Sequence, residues 1–151
     1  MSPATHEPHV CDTAALNSLL QGELSAVETY TQAMSQFDDS MLITDLQHIR
    51  DEHSRAVREL RDHVILYGGV PTGDAGVWDA FTATVTSGLH GTATVLAALR
   101  QGEERDIAAY DDALHNRDIH PDCQRMIRAD LMPACRKHVD ELNNMLGGNH
   151  N

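Results

Sequence analysis

One motif is written twice in this chain. LLQGELSAVETYTQAM (residues 19–34) and VLAALRQGEERDIAAYDDAL (residues 95–114) share Q-G-E-x-x-x-(Val/Ile)-x-x-Tyr-x-x-Ala. Glu23 and Glu103 lie 80 positions apart, as do Tyr30 and Tyr110. Leu16, Leu20, Glu23, Val27 and Tyr30 follow the three-and-four spacing of one helix face, and so do Leu96, Leu99, Glu103, Ile107 and Tyr110. Each copy therefore sets a carboxylate inside an apolar helical stripe. A carboxylate there is costly to bury unless something compensates it. Whatever this chain folds into must bring two such stripes together and neutralise both acids.

A second repeat follows the first. DLQHIRDEHSRAV begins at Asp45 and DLMPACRKHVDEL at Asp130, so that Asp45 matches Asp130, Leu46 matches Leu131 and His53 matches His138, at an offset of 85. The repeating unit is thus a helical hairpin. One hairpin cannot bury its stripe alone, whereas two can. The reading is an all-α, antiparallel four-helix bundle, with a long crossover between helices two and three. Asp12 caps helix one, about 13–35, and the turn FDDS follows. Ser40 caps helix two, which runs to Tyr67, where Gly68-Gly69 and Pro71 stop it. Residues 70–91 form the crossover, with a short helix from Trp78 to Ser87. Helix three spans Thr92 to His115 and helix four Asp122 to Leu146, bent by Pro133. This gives one bundle domain, 13–146, made of hairpins 13–69 and 92–146, between loose tails 1–12 and 147–151.

Height along the bundle can be read as well. Glu23 lies 15 residues before Asp38 in the first turn, and His53 lies 15 after it. The midpoint of Glu103 and His138 falls between His120 and Pro121, inside the second turn. Antiparallel helices therefore carry all four residues at one level, facing inward. Glutamate and histidine are both ligands of first-row metals, so a divalent ion is the simplest compensation. The competing reading is a metal-free network in which Arg50 neutralises Glu23 and Glu103 and the cluster specifies packing.

The totals narrow the partners. A formal net charge of −12 argues against nucleic acid. The N-terminus lacks the pattern of a secretory signal, and no apolar stretch is long enough to span a bilayer. Three cysteines (Cys11, Cys123 and Cys135) without regular spacing fit a reducing cytoplasm. There is no phosphate loop, nucleophile elbow or Cys-x-x-Cys pair. His6, His9 and Cys11 form H-x-x-H-x-C, which in a loose tail can catch metals adventitiously. Asp51 and Glu52 are expected to face solvent, Asp45 and Asp130 to lie off the central stripe, and Met126, Met132 and Met145 to fill core.

Gly22, Glu23, Ala26 and Tyr30 form G-E-x-x-Ala-x-x-x-Tyr, and Glu103 and Tyr110 provide the counterpart on helix three. In these residues the chain resembles the rubrerythrin branch of the ferritin-like superfamily. It is most similar, through LNSLLQGELSAVETY, to a bacterial family of small ferritin-like four-helix proteins of undefined function. The resemblance covers about residues 13–146. It implies a metal centre in the bundle core, iron favoured with zinc or manganese as alternatives, and oxygen- or peroxide-linked redox activity in stress or metal homeostasis. Any enzyme of this kind would be a metal-dependent oxidoreductase. One departure matters. The superfamily takes Glu-x-x-His from helices two and four, and here the glutamate positions hold Arg50 and Cys135. What remains is a Glu2His2 set, Glu23, His53, Glu103 and His138, with Tyr30, Tyr110, Arg50 and Cys135 around it. Cys135 could add a sulfur ligand. The alternative is a structural or stress-associated bundle without a cofactor, acting through self-association, as a homodimer or higher oligomer, or through a partner surface.

Overall fold

A computed structural model describes residues 11–86, 88 and 91–147. Four long helices make the bundle: α1 (Thr13–Met34), α2 (Ser40–Leu66), α4 (Thr92–Leu114), and a last helix in three parts. That last helix comprises α5 (Pro121–Met126), a π-helical turn (Ile127–Leu131) and α6 (Met132–Gly147). A short α3 (Asp79–Thr86) lies in the crossover. Among the described residues there is no strand. α1 packs chiefly on α2, α4 chiefly on α6, and α1 against α4 joins the hairpins.

Capping residues fix the helix starts. Asp12 accepts the Ala15 N–H at 2.9 Å, as the sequence indicates. At α2 the cap is Asp39, not Ser40: its carboxylate takes the Met41 and Leu42 N–H groups, and Ser40 is the first helical residue. α2 stops at Gly68, whose φ of 88° suits glycine, and the Gly69 N–H returns to the Val64 carbonyl at 2.8 Å. Near Pro133 the helix carries an extra residue per turn, with the Met132 N–H bonded to the Ile127 carbonyl. The irregularity expected at the proline thus takes the form of a π turn just before it. Cys11 and Asp12, assigned by sequence to the loose tail, are held: Cys11 is buried, and the Asp12 N–H bonds the Asp118 carbonyl at 2.7 Å. His6, His9, Ser87 and residues 148–151 lie outside the described residues.

The core is split in two. One cluster gathers Leu16, Leu20, Leu60, Ile119 and Ile127 at one end, and the other gathers Leu46, Ile49, Phe81, Leu96 and Leu142 at the opposite end. Between them lies a buried polar layer of Glu23, His53, Glu103 and His138, each 2% exposed or less. Met126 and Met132 are buried and Met145 partly so, all packed into these clusters. The crossover is tied along α1. Asn17 bonds Val70 and Thr72, the Ser25 hydroxyl takes the Gly76 N–H at 3.2 Å, and the Thr29 hydroxyl takes the Trp78 N–H at 2.8 Å. This ladder seats Trp78 over the polar layer.

Candidate metal centre

The four predicted residues come together from four helices. His53 on α2 stands between the two acids, its Nδ1 2.5 Å from Glu23 Oε1 and its Nε2 2.8 Å from Glu103 Oε2. His138 on α6 reaches Glu103 Oε1 with Nδ1 at 3.2 Å. The tyrosines cross over: Tyr30 on α1 donates its hydroxyl to Glu103 Oε2 on α4 at 2.6 Å, and Tyr110 on α4 donates to Glu23 Oε2 on α1. Sequence placed each tyrosine on its own glutamate's stripe. Two turns of separation along that stripe leave each hydroxyl at the level of the facing helix's acid, so the bonds run between hairpins. The pair therefore supplies directed donors to the acids as well as apolar mass.

The electrostatics follow from this geometry. Burial works against the His53 charge, but Glu103 and Glu23 outweigh it and raise its pKa well above the usual value. Burial opposes ionisation of Glu103 as well, yet His53 and His138 bring its pKa down to about 2. Burial, then the neighbouring carboxylates, push the Tyr30 and Tyr110 hydroxyls well up, so both stay protonated as donors. A buried carboxylate against each ring nitrogen favours the imidazolium form of His53.

Arg50 does not take that role. Its guanidinium lies toward the surface, 3.5 Å from the exposed Asp51. Positions 50 and 53 lie only about 60° apart on α2, so Arg50 flanks the layer, and its long side chain runs out to Asp51 instead of in to the acids. Cys135 is buried beside the centre, where burial and the Glu23 and Glu103 charges raise its pKa steeply and keep it a thiol. Its sulfur belongs to neither of the converging donor groups described below.

Three contributors escaped the sequence reading. Glu52, expected in solvent, is only 16% exposed, and its Oε1 lies 2.6 Å from His138 Nε2. Asp106, one turn beyond Glu103, turns its Oδ2 inward with no hydrogen-bond partner among the described residues. Burial, then Glu23, raises its pKa well above the carboxylate range. Trp78 packs edge-on to Tyr30 and His53, with ring centroids at 5.7 and 6.0 Å. A Cβ on Gly102 would overlap its indole, and a Cβ on Gly22 would meet Asp106 Oδ1 at 3.2 Å. The glycine of each Q-G-E copy is thus space for a neighbour of the centre. The i to i+3 spacing of Glu103 and Asp106 was a legible signal for Asp106. Nothing local marked Trp78.

The donors fit a metal ion. His53, Glu103 and His138 can bring one ligand atom each within 4.8 Å of one another, and so can Glu23, His53 and Asp106. The two triads share His53, and their mixed carboxylate and imidazole character suits divalent first-row ions. The unpaired Asp106 oxygen is what an ion at that place would satisfy.

The all-helical bundle of two hairpins joined by a long crossover has a ferritin-like fold. A solved structure of like fold is "ferritin like, diiron-carboxylate proteins" from Bacillus anthracis str. Ames, with a TM-score of 0.75 and 18% identity over 89% of this chain and 94% of that one. No curated protein matches the chain. The chain belongs to the family described as Domain of unknown function (DUF2383), which matches residues 12–116. None of the helices among the described residues is long and apolar enough to cross a membrane.

Proposed function

We propose that this protein binds a divalent metal ion in the bundle core through Glu23, His53, Glu103 and His138, with Asp106 as a fifth donor. Iron is favoured, with zinc and manganese as competitors, because the set is rich in carboxylate oxygen. The observation that carries the reading is the enclosed Asp106 Oδ2, unpaired among the described residues and aimed at Glu23 and His53. An iron ion there would supply Lewis acidity and an electron to oxygen or peroxide, consistent with a role in cytoplasmic stress or metal homeostasis. The chain's part is to hold the acids. Tyr30 and Tyr110 fix one oxygen of each glutamate, Trp78 covers the layer, and His53 must give up a proton to become a ligand.

A second reading is favoured by the His53 geometry. As an imidazolium between Glu23 and Glu103 it already compensates much of their charge, and the layer could serve only to specify packing, with function in self-association. The test is metal content by plasma mass spectrometry on untagged protein, beside Asp106→Asn and a Glu23→Ala, Glu103→Ala double variant. Stoichiometric metal that falls in Asp106→Asn and vanishes in the double variant supports the metal reading. Folded wild-type protein that refuses iron, zinc and manganese refutes it in favour of the second.

A further inference from the structure

A line of donors leads from the surface to the centre. His48 on α2 is 60% exposed, and its Nε2 lies 3.1 Å from Glu52 Oε2, one helical turn on. Glu52 Oε1 touches His138 Nε2 at 2.6 Å, and His138 Nδ1 touches the fully buried Glu103 at 3.2 Å. Glu52 and His138 line a cleft of about 390 Å³ that opens where α2 and α6 pack only weakly and reaches Glu23 and His53, and His48 stands outside it on the surface of α2. Lys137 stands at the mouth with its ammonium 3.3 Å from Glu52 Oε2. The opposite face differs. A second cleft of about 390 Å³ between α1 and α4 offers Asp106 beneath Trp78, and its mouth carries the Arg105–Asp79 pair rather than an imidazole–carboxylate series.

We propose that the α2–α6 cleft is the route by which the cation reaches the core, with His48 and Glu52 as its landing site and Glu52 as the group that passes it to His138. The proposal rests on the metal-binding reading and adds to it a direction of access. An imidazole and a carboxylate at i and i+4 present two first-row ligands to one ion from a single helix face. Glu52 is able to transfer because it spans both environments, one oxygen toward the surface pair and the other toward buried His138. Lys137 holds the same carboxylate when no cation is present and must be displaced by one, so it sets a barrier to loading.

The sole tryptophan reports loading directly. Trp78 lies 6.0 Å from the His53 ring, close enough for cobalt(II) to quench its emission. Metal-free full-length protein is mixed with cobalt(II) chloride in stopped flow, and bound cobalt is then counted at equilibrium after desalting. Glu52→Gln, which keeps an acceptor for His138, should slow quenching about tenfold with final stoichiometry unchanged, the scale on which a steering charge acts. His48→Gln, at an exposed position, should slow it in the same sense, and Lys137→Met should speed it. Wild-type rates in Glu52→Gln and His48→Gln would overturn the route. Lost stoichiometry in Glu52→Gln would overturn transfer in favour of a resident ligand or a residue that only orients His138. Wild-type protein that binds no cobalt at equilibrium would fail the metal reading itself, and the route with it.

Discussion

Replacing Gly102 by alanine tests the link between the repeated motif and the crossover. Within an exposed helix, glycine to alanine stabilises by about 1 kcal/mol. Here the new Cβ would fall within 3.0 Å of Trp78 Cε3, Cδ2 and Cζ3. The indole cannot retreat, because Tyr30 and His53 stand behind it and its backbone N–H is held by Thr29. Either α4 shifts, at an overpacking cost of about 1–3 kcal/mol, or the 6%-exposed indole leaves its seat and forfeits about 3–5 kcal/mol of burial. Taking about 3 kcal/mol for the clash less about 1 for the helix, Gly102→Ala should destabilise by about 2 kcal/mol. Urea denaturation followed by Trp78 emission measures both quantities, and the folded-state emission should shift to the red. In a Trp78→Ala background the same substitution should stabilise. A Gly102→Ala protein more stable than wild type, with unchanged emission, would refute the reasoning.

The remaining expectations concern the polar layer. Tyr30→Phe and Tyr110→Phe each remove a donor to a buried carboxylate and should cost about 1.5–3 kcal/mol in the same assay. Arg50→Leu should change stability by less than about 0.5 kcal/mol, because Arg50 meets only surface charge; a loss of several would restore it as the core counter-ion. In metal-stripped protein His53 has a raised pKa, so its contribution is complete below about pH 6.5 and is lost as pH rises through the folded value. Glu103 is lowered, so its contribution holds above about pH 4.3 and disappears only as pH falls toward 2. Denaturation midpoints should therefore hold on acidification to about pH 4.5 and fall on the alkaline side. Metal affinity should instead rise with pH, since binding displaces the His53 proton; isothermal titration in two buffers of different ionisation enthalpy would count it.

The buried acid–histidine layer was legible because helical periodicity and antiparallel register are arithmetic. Glu23, His53, Glu103 and His138 fall at one level once two hairpins are recognised, whatever the packing details. Asp12 as a cap and Gly68-Gly69 as a stop were readable for the same local reason. Ser40 and Asp39 are both good caps in adjacent positions, and only the backbone's choice of first helical residue separates them. Glu52 was misplaced because it flanks the stripe, and the opening between α2 and α6 decides whether such a residue meets solvent or His138.

The amino-acid sequence by itself determined the duplicated hairpins, the all-α bundle and the inward acids and histidines, since these depend on residue spacing along regular helices. Only the tertiary structure decided what compensates the acids and what surrounds them. It turned Arg50 outward, set His53 between the glutamates, sent each tyrosine to the opposite acid, and laid Trp78 into the space left by Gly102. Those outcomes depend on helix rotation and on the path of an irregular crossover. Both are fixed by contacts between residues tens of positions apart, for which no local pattern exists.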